Sequence, residues 1–238
     1  MSHSGKESTT AATGERLRLD HLDRLEPLAR QKGRNGTKAD ILRYDMDGFA
    51  VSLKDYRDRP LWVRATLGRY LIARESRGYL GAGDLEGLPR FLGRLGPVSL
   101  ATEWVDAIPL AQFTAGLSSS PPVEVFEQLD RILDELHSRK VALSDLHHRD
   151  VLVSSEGEVH VVDLAMAYHY RDRPLVLRPF RRWLFGHLCR LDRIAAARMR
   201  ARFTGGDMDE AVERAGGSTS GLYRTGRKLK AILRGGRK

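Results

Sequence analysis

The sequence predicts an α+β protein of two unequal lobes, because strand-like segments dominate the first half of the chain and helical segments the second. The Asp47-Gly48 pair lies between two apolar-rich segments, which is typical of a β-hairpin. Residues 123–139 repeat apolar side chains at the spacing of an amphipathic helix. The Ser- and Pro-rich stretch 118–122 precedes this helix, and it places the boundary between the lobes near 105–122.

Length and composition exclude several classes of protein. The 238 residues are enough to bury roughly 70% of the unfolded surface, and a hydrophobic content of 41% excludes a wholly disordered chain. Cys189 is the only cysteine, so no intramolecular disulfide can form, which favours a reducing, cytoplasmic compartment. No apolar run reaches the roughly 18 residues of a transmembrane helix. Residues 1–15 lack the apolar segment of a secretory signal, and we predict a disordered tail there.

The N-lobe is predicted to span residues 16–105. Pro27 interrupts its first helix, and Pro60 marks the start of its second, because proline suits the first turn of a helix. In chain order the predicted elements are a short helix over 16–30, strands over 36–44 and 49–56, a helix over 61–80 and two short strands within 87–105.

The C-lobe is predicted to span residues 106–205. A Ser-Ser-Glu-Gly turn at 154–157 separates two of its strands. In chain order the predicted elements are a helix over 123–139, short strands over 141–143, 151–153 and 159–162, and a helix over 181–203. The remaining residues, 206–238, form a predicted basic C-terminal tail.

Positive charge is concentrated in the last third of the chain. With 40 Lys and Arg against 31 Asp and Glu, the formal net charge is +9. Residues 171–202 contain ten Arg and two acids, and residues 221–238 contain seven Lys or Arg and no acid. Such a surface suits nucleic acid, anionic lipid or a phosphorylated substrate, and the alternative is a solvated face that only keeps the protein soluble.

Three carboxylates, Asp145, Asp150 and Asp163, lie within the segment 143–167. Asp145 and Asp150 bracket a loop, and Asp163 ends an apolar strand, which would hold its carboxylate at the edge of a cleft. Carboxylates that cluster in a cleft repel one another unless a cation joins them, and oxygen ligands favour a hard cation such as Mg²⁺. The alternative is that all three are ordinary surface acids in loops.

This segment resembles the catalytic core of protein-kinase-like enzymes, in which H-R-D-x-x-x-x-N is followed after two strands by D-F-G. The literal HRD at 148–150 does not fit, because the residue five positions beyond it is Ser155. With the catalytic acid at Asp145, Asp150 takes the place of the Asn and Asp163 that of the D-F-G acid. The chain departs from the pattern at Leu143 (for His), at Asp150 (for Asn) and at Leu164-Ala165 (for Phe-Gly).

The resemblance extends upstream. Lys54, in AVSLK, matches the strand lysine that contacts ATP phosphates, and Glu75 matches the helix glutamate that pairs with it. Gly36 matches the middle glycine of the phosphate-covering loop, whose flanking glycines are absent here. Glu103 and Val105 belong to the segment that would connect the lobes and meet the adenine.

The pattern over roughly 33–205 resembles bacterial lipopolysaccharide kinases and RIO-like atypical kinases more than it resembles eukaryotic protein kinases. About 75 residues follow Asp163, too few for a full kinase helical lobe. The resemblance therefore implies a compact two-lobed protein-kinase-like fold with a small strand-rich N-lobe and a reduced helical C-lobe. It implies ATP binding at Gly36, Lys54, Glu75, Glu103 and Val105, Mg²⁺ binding at Asp150 and Asp163, and catalysis by Asp145.

We therefore expect an ATP-dependent phosphotransferase that phosphorylates a hydroxyl. The expected acceptor is a lipopolysaccharide core sugar or a protein Ser or Thr. We also expect the basic C-terminal third of the protein to contact the inner face of the anionic cytoplasmic membrane peripherally. Two alternatives stay open: a pseudokinase-like regulatory or binding module, and a basic lipid- or nucleic-acid-binding protein without catalysis.

Overall fold

Strands and helices are mixed in the α+β arrangement that the sequence predicts. The structure, a computed structural model, describes residues 17, 19–117 and 121–217. The predicted tail at 1–15 and the basic residues 221–238 lie outside these ranges. Within them, no helix has both the length and the apolar character needed to cross a membrane.

An antiparallel sheet of five strands forms the N-terminal half, in the order β1-β2-β3-β5-β4. Met46 pairs with Phe49, so Asp47 and Gly48 alone form the turn, with φ of 54° and 85°. This turn confirms the predicted hairpin, because two positive φ values are what a tight hairpin turn requires. The strands are β1 (Ala29–Gln31), β2 (Asp40–Met46), β3 (Phe49–Asp55), β4 (Phe91–Arg94) and β5 (Ser99–Glu103).

Helices in this half differ in length from their predictions. The helix predicted over 16–30 reduces to α1 (Leu19–Leu22), and the strand β1 follows Pro27 instead. The helix predicted over 61–80 is present as α2 (Leu61–Val63), a π-helical turn (Arg64–Gly68) and α3 (Arg69–Ala82), which follow one another without a break. It packs on the sheet through a buried cluster that includes Val63, Ile72, Tyr56 and Leu100.

The C-terminal half is built around a helix over Val123–Ser138, whose predicted apolar face is buried. Its short strands form a three-stranded sheet, β6-β8-β9, and a pair, β7-β10. The elements are β6 (Ala107–Pro109), α4 (Leu110–Ala115), α5 (Val123–Ser138), β7 (Val141–Ala142), β8 (Val151–Ser154), β9 (Val159–Val161), β10 (Tyr168–His169), a 3₁₀ turn (Leu175–Leu177), α6 (Arg178–Thr204) and α7 (Met208–Arg214).

Residues 206–217 differ from the tail that the sequence predicts for 206–238. Asp207 caps α7 by accepting hydrogen bonds from the backbone N–H groups of Asp209 and Glu210. Val212 of α7 is buried, and α7 packs against α6. The start of the predicted tail is therefore a capped helix.

Candidate functional site

Lys54 on β3 lies between two carboxylates from distant parts of the chain. Its Nζ is 2.8 Å from Oε2 of Glu75 on α3 and 2.8 Å from Oδ1 of Asp163, in the loop after β9. Asp163 is 109 residues further along the chain than Lys54. The fold therefore brings together three of the residues that the sequence singles out, and it joins the sheet to the C-terminal half through one ammonium group.

The position of each side chain follows from its secondary structure. Lys54 lies near the end of a central strand and alternates with the buried Leu53 and Asp55. Glu75 lies on the buried stripe of α3 with Ile72 and Tyr79, at helical spacing, and only 2% of its surface is exposed. A carboxylate buried to this degree needs a cation, and Lys54 supplies it.

The Lys54 ammonium and the two carboxylates beside it favour one another's ionised forms, while burial opposes all three. Burial disfavours the Lys54 ammonium, but the carboxylates of Glu75 and Asp163 outweigh burial and hold the pKa of Lys54 well above its ordinary value. Burial raises the pKa of Glu75, and Lys54 limits that rise. Burial opposes ionisation of Asp163 as well, yet the charge of Lys54 and its hydrogen bond lower the pKa of Asp163.

Asp150 lies beside Asp163 because of the β8–β9 hairpin. Val151 pairs with Val161, and the carbonyl of Asp150 accepts a hydrogen bond of 2.8 Å from the backbone N–H of Val162. Burial and then the negative charges of Asp163 and Asp145 raise the pKa of Asp150 to about 7. Asp145 is exposed in the same loop. The three carboxylates therefore share one electrostatic environment.

A buried acid that the sequence analysis does not single out fixes the loop before Asp145. Asp192 on α6 is 1% exposed, and it accepts hydrogen bonds of 2.8 Å from the backbone N–H groups of Leu143 and Ser144. His137 Nε2 lies 3.0 Å from the same carboxylate. One signal could have revealed Asp192: it is the only acid among the 27 residues of α6.

Strained backbone and an arginine on α3 also mark this region. Ser144 and Asp163 have φ of 71° and 66°, a conformation that non-glycine residues rarely adopt and that clusters at functional sites. Arg74 on α3 donates hydrogen bonds of 3.0 Å and 2.5 Å to the carbonyls of Ala167 and Met166. The segment that follows Asp163 is thus tied to the helix that carries Glu75.

The loop between β1 and β2 contains Gly36, the predicted phosphate-covering glycine. A Cβ added at Gly36 would meet nothing within 4 Å, whereas one at Gly33 would collide with the carbonyls of Lys38 and Ala39. Asp40 Oδ1 accepts a hydrogen bond of 2.9 Å from the Gly33 N–H, which fixes the base of the loop. Packing therefore requires a glycine at position 33, and the role of Gly36 stays a prediction.

Glu103 and Val105 lie where the sheet passes into the C-terminal half. The backbone N–H of Glu103 donates to the carbonyl of Arg90, and the backbone N–H of Trp104 donates to the carbonyl of Ala50, each at 2.9 Å. A cavity of about 350 Å³ adjoins Glu103 and Val105, but Lys54 and Asp163 are not among its lining residues. The adenine contact predicted for this segment stays a prediction.

Asp150 and Asp163 are the residues that would hold a Mg²⁺ ion if one binds together with a nucleotide. No three His, Cys, Asp or Glu side chains converge closely enough to hold a metal alone anywhere in 17, 19–117 and 121–217. Mg²⁺, however, is commonly held by one or two carboxylates together with phosphate oxygens. Asp150 and Asp163 provide two such carboxylates, and a bound cation would offset the repulsion that, after burial, raises the pKa of Asp150.

We predict that Asp150→Asn raises the melting temperature of the metal-free protein by a few degrees above pH 7 and leaves it unchanged near pH 3. Between 3.8, the ordinary pKa of Asp, and about 7, folded Asp150 holds a proton that the unfolded chain releases. Raising the pH through this window therefore destabilises the native protein but not the variant. Melting curves across the window measure the difference.

The same variant should gain less from Mg²⁺ with ATP than the native protein. A ligand that binds only the native state raises the free energy of unfolding by about 2.7 kcal/mol at a hundredfold excess over its Kd. Removing one charged metal-coordinating side chain weakens the binding of Mg²⁺ and therefore reduces this gain. Asp84→Asn, at an exposed position, is the matched control. Identical melting curves for the Asp150→Asn and native proteins, with and without Mg²⁺ and ATP, would contradict the assignment of Asp150 as a ligand.

Comparison with known proteins supplies no family. No protein-family model matches this chain, and no curated protein sequence matches it either. Function must therefore be inferred from the side chains that the fold brings together.

Proposed function

We propose that this protein is an ATP-dependent phosphotransferase with a reduced, two-lobed protein-kinase-like fold. The observation that carries the proposal is the position of Lys54 Nζ, 2.8 Å from both Glu75 and Asp163. In protein kinases a strand lysine held by a helix glutamate contacts the nucleotide phosphates, and a nearby aspartate holds the metal ion. The sheet with its helix would form the small lobe, and the region around α5 and α6 the reduced helical lobe.

Each of the assembled residues then has a role. Glu75 holds Lys54 in place, and Lys54 contacts the phosphates of ATP. Asp150 and Asp163 would hold Mg²⁺, which neutralises phosphate charge when bound. Asp145 orients the acceptor hydroxyl and accepts its proton, while Asp192 positions Asp145 by fixing the N–H groups of Leu143 and Ser144. Catalysis is then mainly orientation and charge neutralisation.

The acceptor would bring its hydroxyl to Asp145 at the protein surface, because Asp145 is exposed. A sugar of the lipopolysaccharide core or a protein Ser or Thr fits this requirement. We take the sugar as the first candidate and the protein side chain as the second, as the resemblance to lipopolysaccharide and RIO-like kinases implies.

One observation favours a second function, a pseudokinase-like binding module. Asp150, with its pKa of about 7, is partly protonated at neutral pH, and a protonated carboxyl is a poor metal ligand. If ATP with Mg²⁺ fails to displace this proton, the site binds nucleotide without productive metal geometry. Binding without turnover would then be the outcome.

Calorimetric titration with ATP, followed by an assay for ADP formation, tests the proposal. We expect ATP to bind only weakly without Mg²⁺ and more tightly with it, and Asp163→Asn to remove the effect of Mg²⁺. Asp84→Asn serves as the control. ADP formation that depends on an added hydroxyl acceptor supports the phosphotransferase, and binding without ADP supports the binding module. The absence of ATP binding with and without Mg²⁺ would contradict both.

A further inference from the structure

The start of α6 and the 3₁₀ turn before it present large apolar side chains to solvent. Within the part of the chain that the structure describes, their exposed fractions run from 49% at Leu177 to 84% at Val176. Phe180 and Trp183 stack with ring centroids 5.9 Å apart, and Trp183 stacks on His187 at 5.7 Å. We call this surface the aromatic–arginine face; its apolar members are Leu175, Val176, Leu177, Phe180 and Trp183.

Arginines line the same side of the helix at intervals of four or eight residues. Arg178, Arg182 and Arg190 surround a shallow groove of about 610 Å³ over Gly186, whose missing side chain leaves its floor open. Asp172 pairs with Arg178 at 3.3 Å. Neither Arg182 nor Arg190 forms an ion pair with any acid of the described residues, so both guanidinium groups are available to an external anion.

We propose that the aromatic–arginine face docks the protein onto an anionic membrane surface. The apolar side chains would enter the interfacial region, where aromatic rings are favoured, and Arg182 and Arg190 would contact lipid phosphates over the groove at Gly186. Long arginine side chains can cover apolar surface while their charged ends reach the headgroups. Charge and apolar surface then act together, which reversible membrane binding requires.

The aliphatic residues distinguish this surface from a nucleic-acid interface. Proteins that bind single strands stack bases on aromatic rings and arginine, and this gives no role to exposed Leu175 and Val176. A second copy of the chain is also disfavoured as the occupant. Self-pairing of this face would bury Arg182 and Arg190 of both copies in one interface, where their like charges repel.

Docking through this face does not depend on the proposed function. Asp192, which fixes the loop before Asp145, lies nine residues beyond Trp183 on α6, about 13 Å along its axis and half a turn around it. The face and the loop that carries Asp145 therefore lie on opposite sides of α6, and docking is tested separately from phosphotransfer.

Quenching of tryptophan fluorescence locates the inserted residue in the full-length protein. The vesicles contain equal parts of phosphatidylglycerol and brominated phosphatidylcholine, and bromine quenches only a nearby tryptophan. We expect strong quenching in the native protein and in Trp62→Phe, and its loss in Trp183→Phe. Trp62 is a matched control because its exposed fraction of 61% is close to the 63% of Trp183. Equal quenching in the two variants would overturn the proposal.

Sedimentation with vesicles measures the electrostatic part. Arg182→Gln with Arg190→Gln should weaken binding to phosphatidylglycerol vesicles about 30-fold, whereas the exposed control Arg69→Gln should leave it nearly unchanged. Native protein that binds phosphatidylcholine vesicles as tightly as phosphatidylglycerol vesicles would overturn the proposal. So would binding to polyuridylate RNA without binding to vesicles. Neither vesicle experiment contains nucleotide. The test of membrane docking is therefore independent of the test of phosphotransfer, and either proposal can fail while the other is confirmed.

Discussion

Asp145→Ala is expected to lower the rate of phosphotransfer about 10²–10⁴-fold while leaving the affinity for ATP nearly unchanged. Asp145 is exposed, and it does not touch Lys54, so its loss removes orientation of the acceptor and not contacts with nucleotide. The measurements are the turnover number for ADP formation and the calorimetric Kd for ATP. Folding should not change, because an exposed side chain contributes little to stability.

Two further variants make the test of Asp145 specific. Asp84→Asn removes an exposed carboxylate elsewhere and should keep full activity. Asp150→Asn tests the alternative alignment of the loop, in which the literal HRD at 148–150 is the catalytic motif and Asp150 is the catalytic acid. Full activity in Asp145→Ala, together with complete loss in Asp150→Asn, would show that the catalytic acid was assigned to the wrong residue.

Lys54→Met is expected to weaken ATP binding about 10- to 100-fold, because a charged hydrogen-bond donor to phosphate is lost. It should also destabilise the protein by about 3 kcal/mol, because the carboxylate of Glu75 stays buried without its cation. Calorimetry with ATP and Mg²⁺ measures the first effect, and denaturant unfolding measures the second.

The double variant Lys54→Met/Glu75→Gln separates these two effects. A neutral amide at position 75 should recover much of the lost stability, since no charge stays buried. ATP binding should remain weak, since Lys54 is still absent. If ATP binding returned together with stability, Lys54 would have only a structural role.

Local sequence signals predict much of the fold. The Asp47-Gly48 turn and the apolar stripe of α5 are found as expected, because turn chemistry and helical periodicity act over a few residues. The helix expected over 16–30 is wrong in extent, because pairing with β2 takes Ala29–Gln31 into the sheet. The sequence of residues 29–31 alone does not indicate that they pair with β2, which lies about ten residues further along the chain.

The site shows the same division between local and long-range effects. The resemblance to protein-kinase-like enzymes predicts Lys54 and Glu75 as partners, and the structure pairs them. Sequence patterns miss Asp192 because the loop groups that it fixes are backbone N–H groups 48 and 49 residues away, which have no residue-specific signature. The raised pKa of Asp150 likewise depends on burial and on two acids that only the folded chain brings near.

Covalent labelling with an acyl-phosphate derivative of ATP tests the central claim, that nucleotide phosphates bind beside Lys54, most directly. The nearest lysine loses a proton to solvent, its neutral Nζ attacks the acyl carbon, an amide bond forms, and ATP leaves as the acyl–phosphate bond breaks. Proximity in the bound state should drive this reaction although the Lys54 ammonium is stabilised by its two carboxylates. We expect mass spectrometry to find the label on Lys54, and excess ATP with Mg²⁺ to prevent it. Label confined to other lysines, or unaffected by ATP, would contradict the claim.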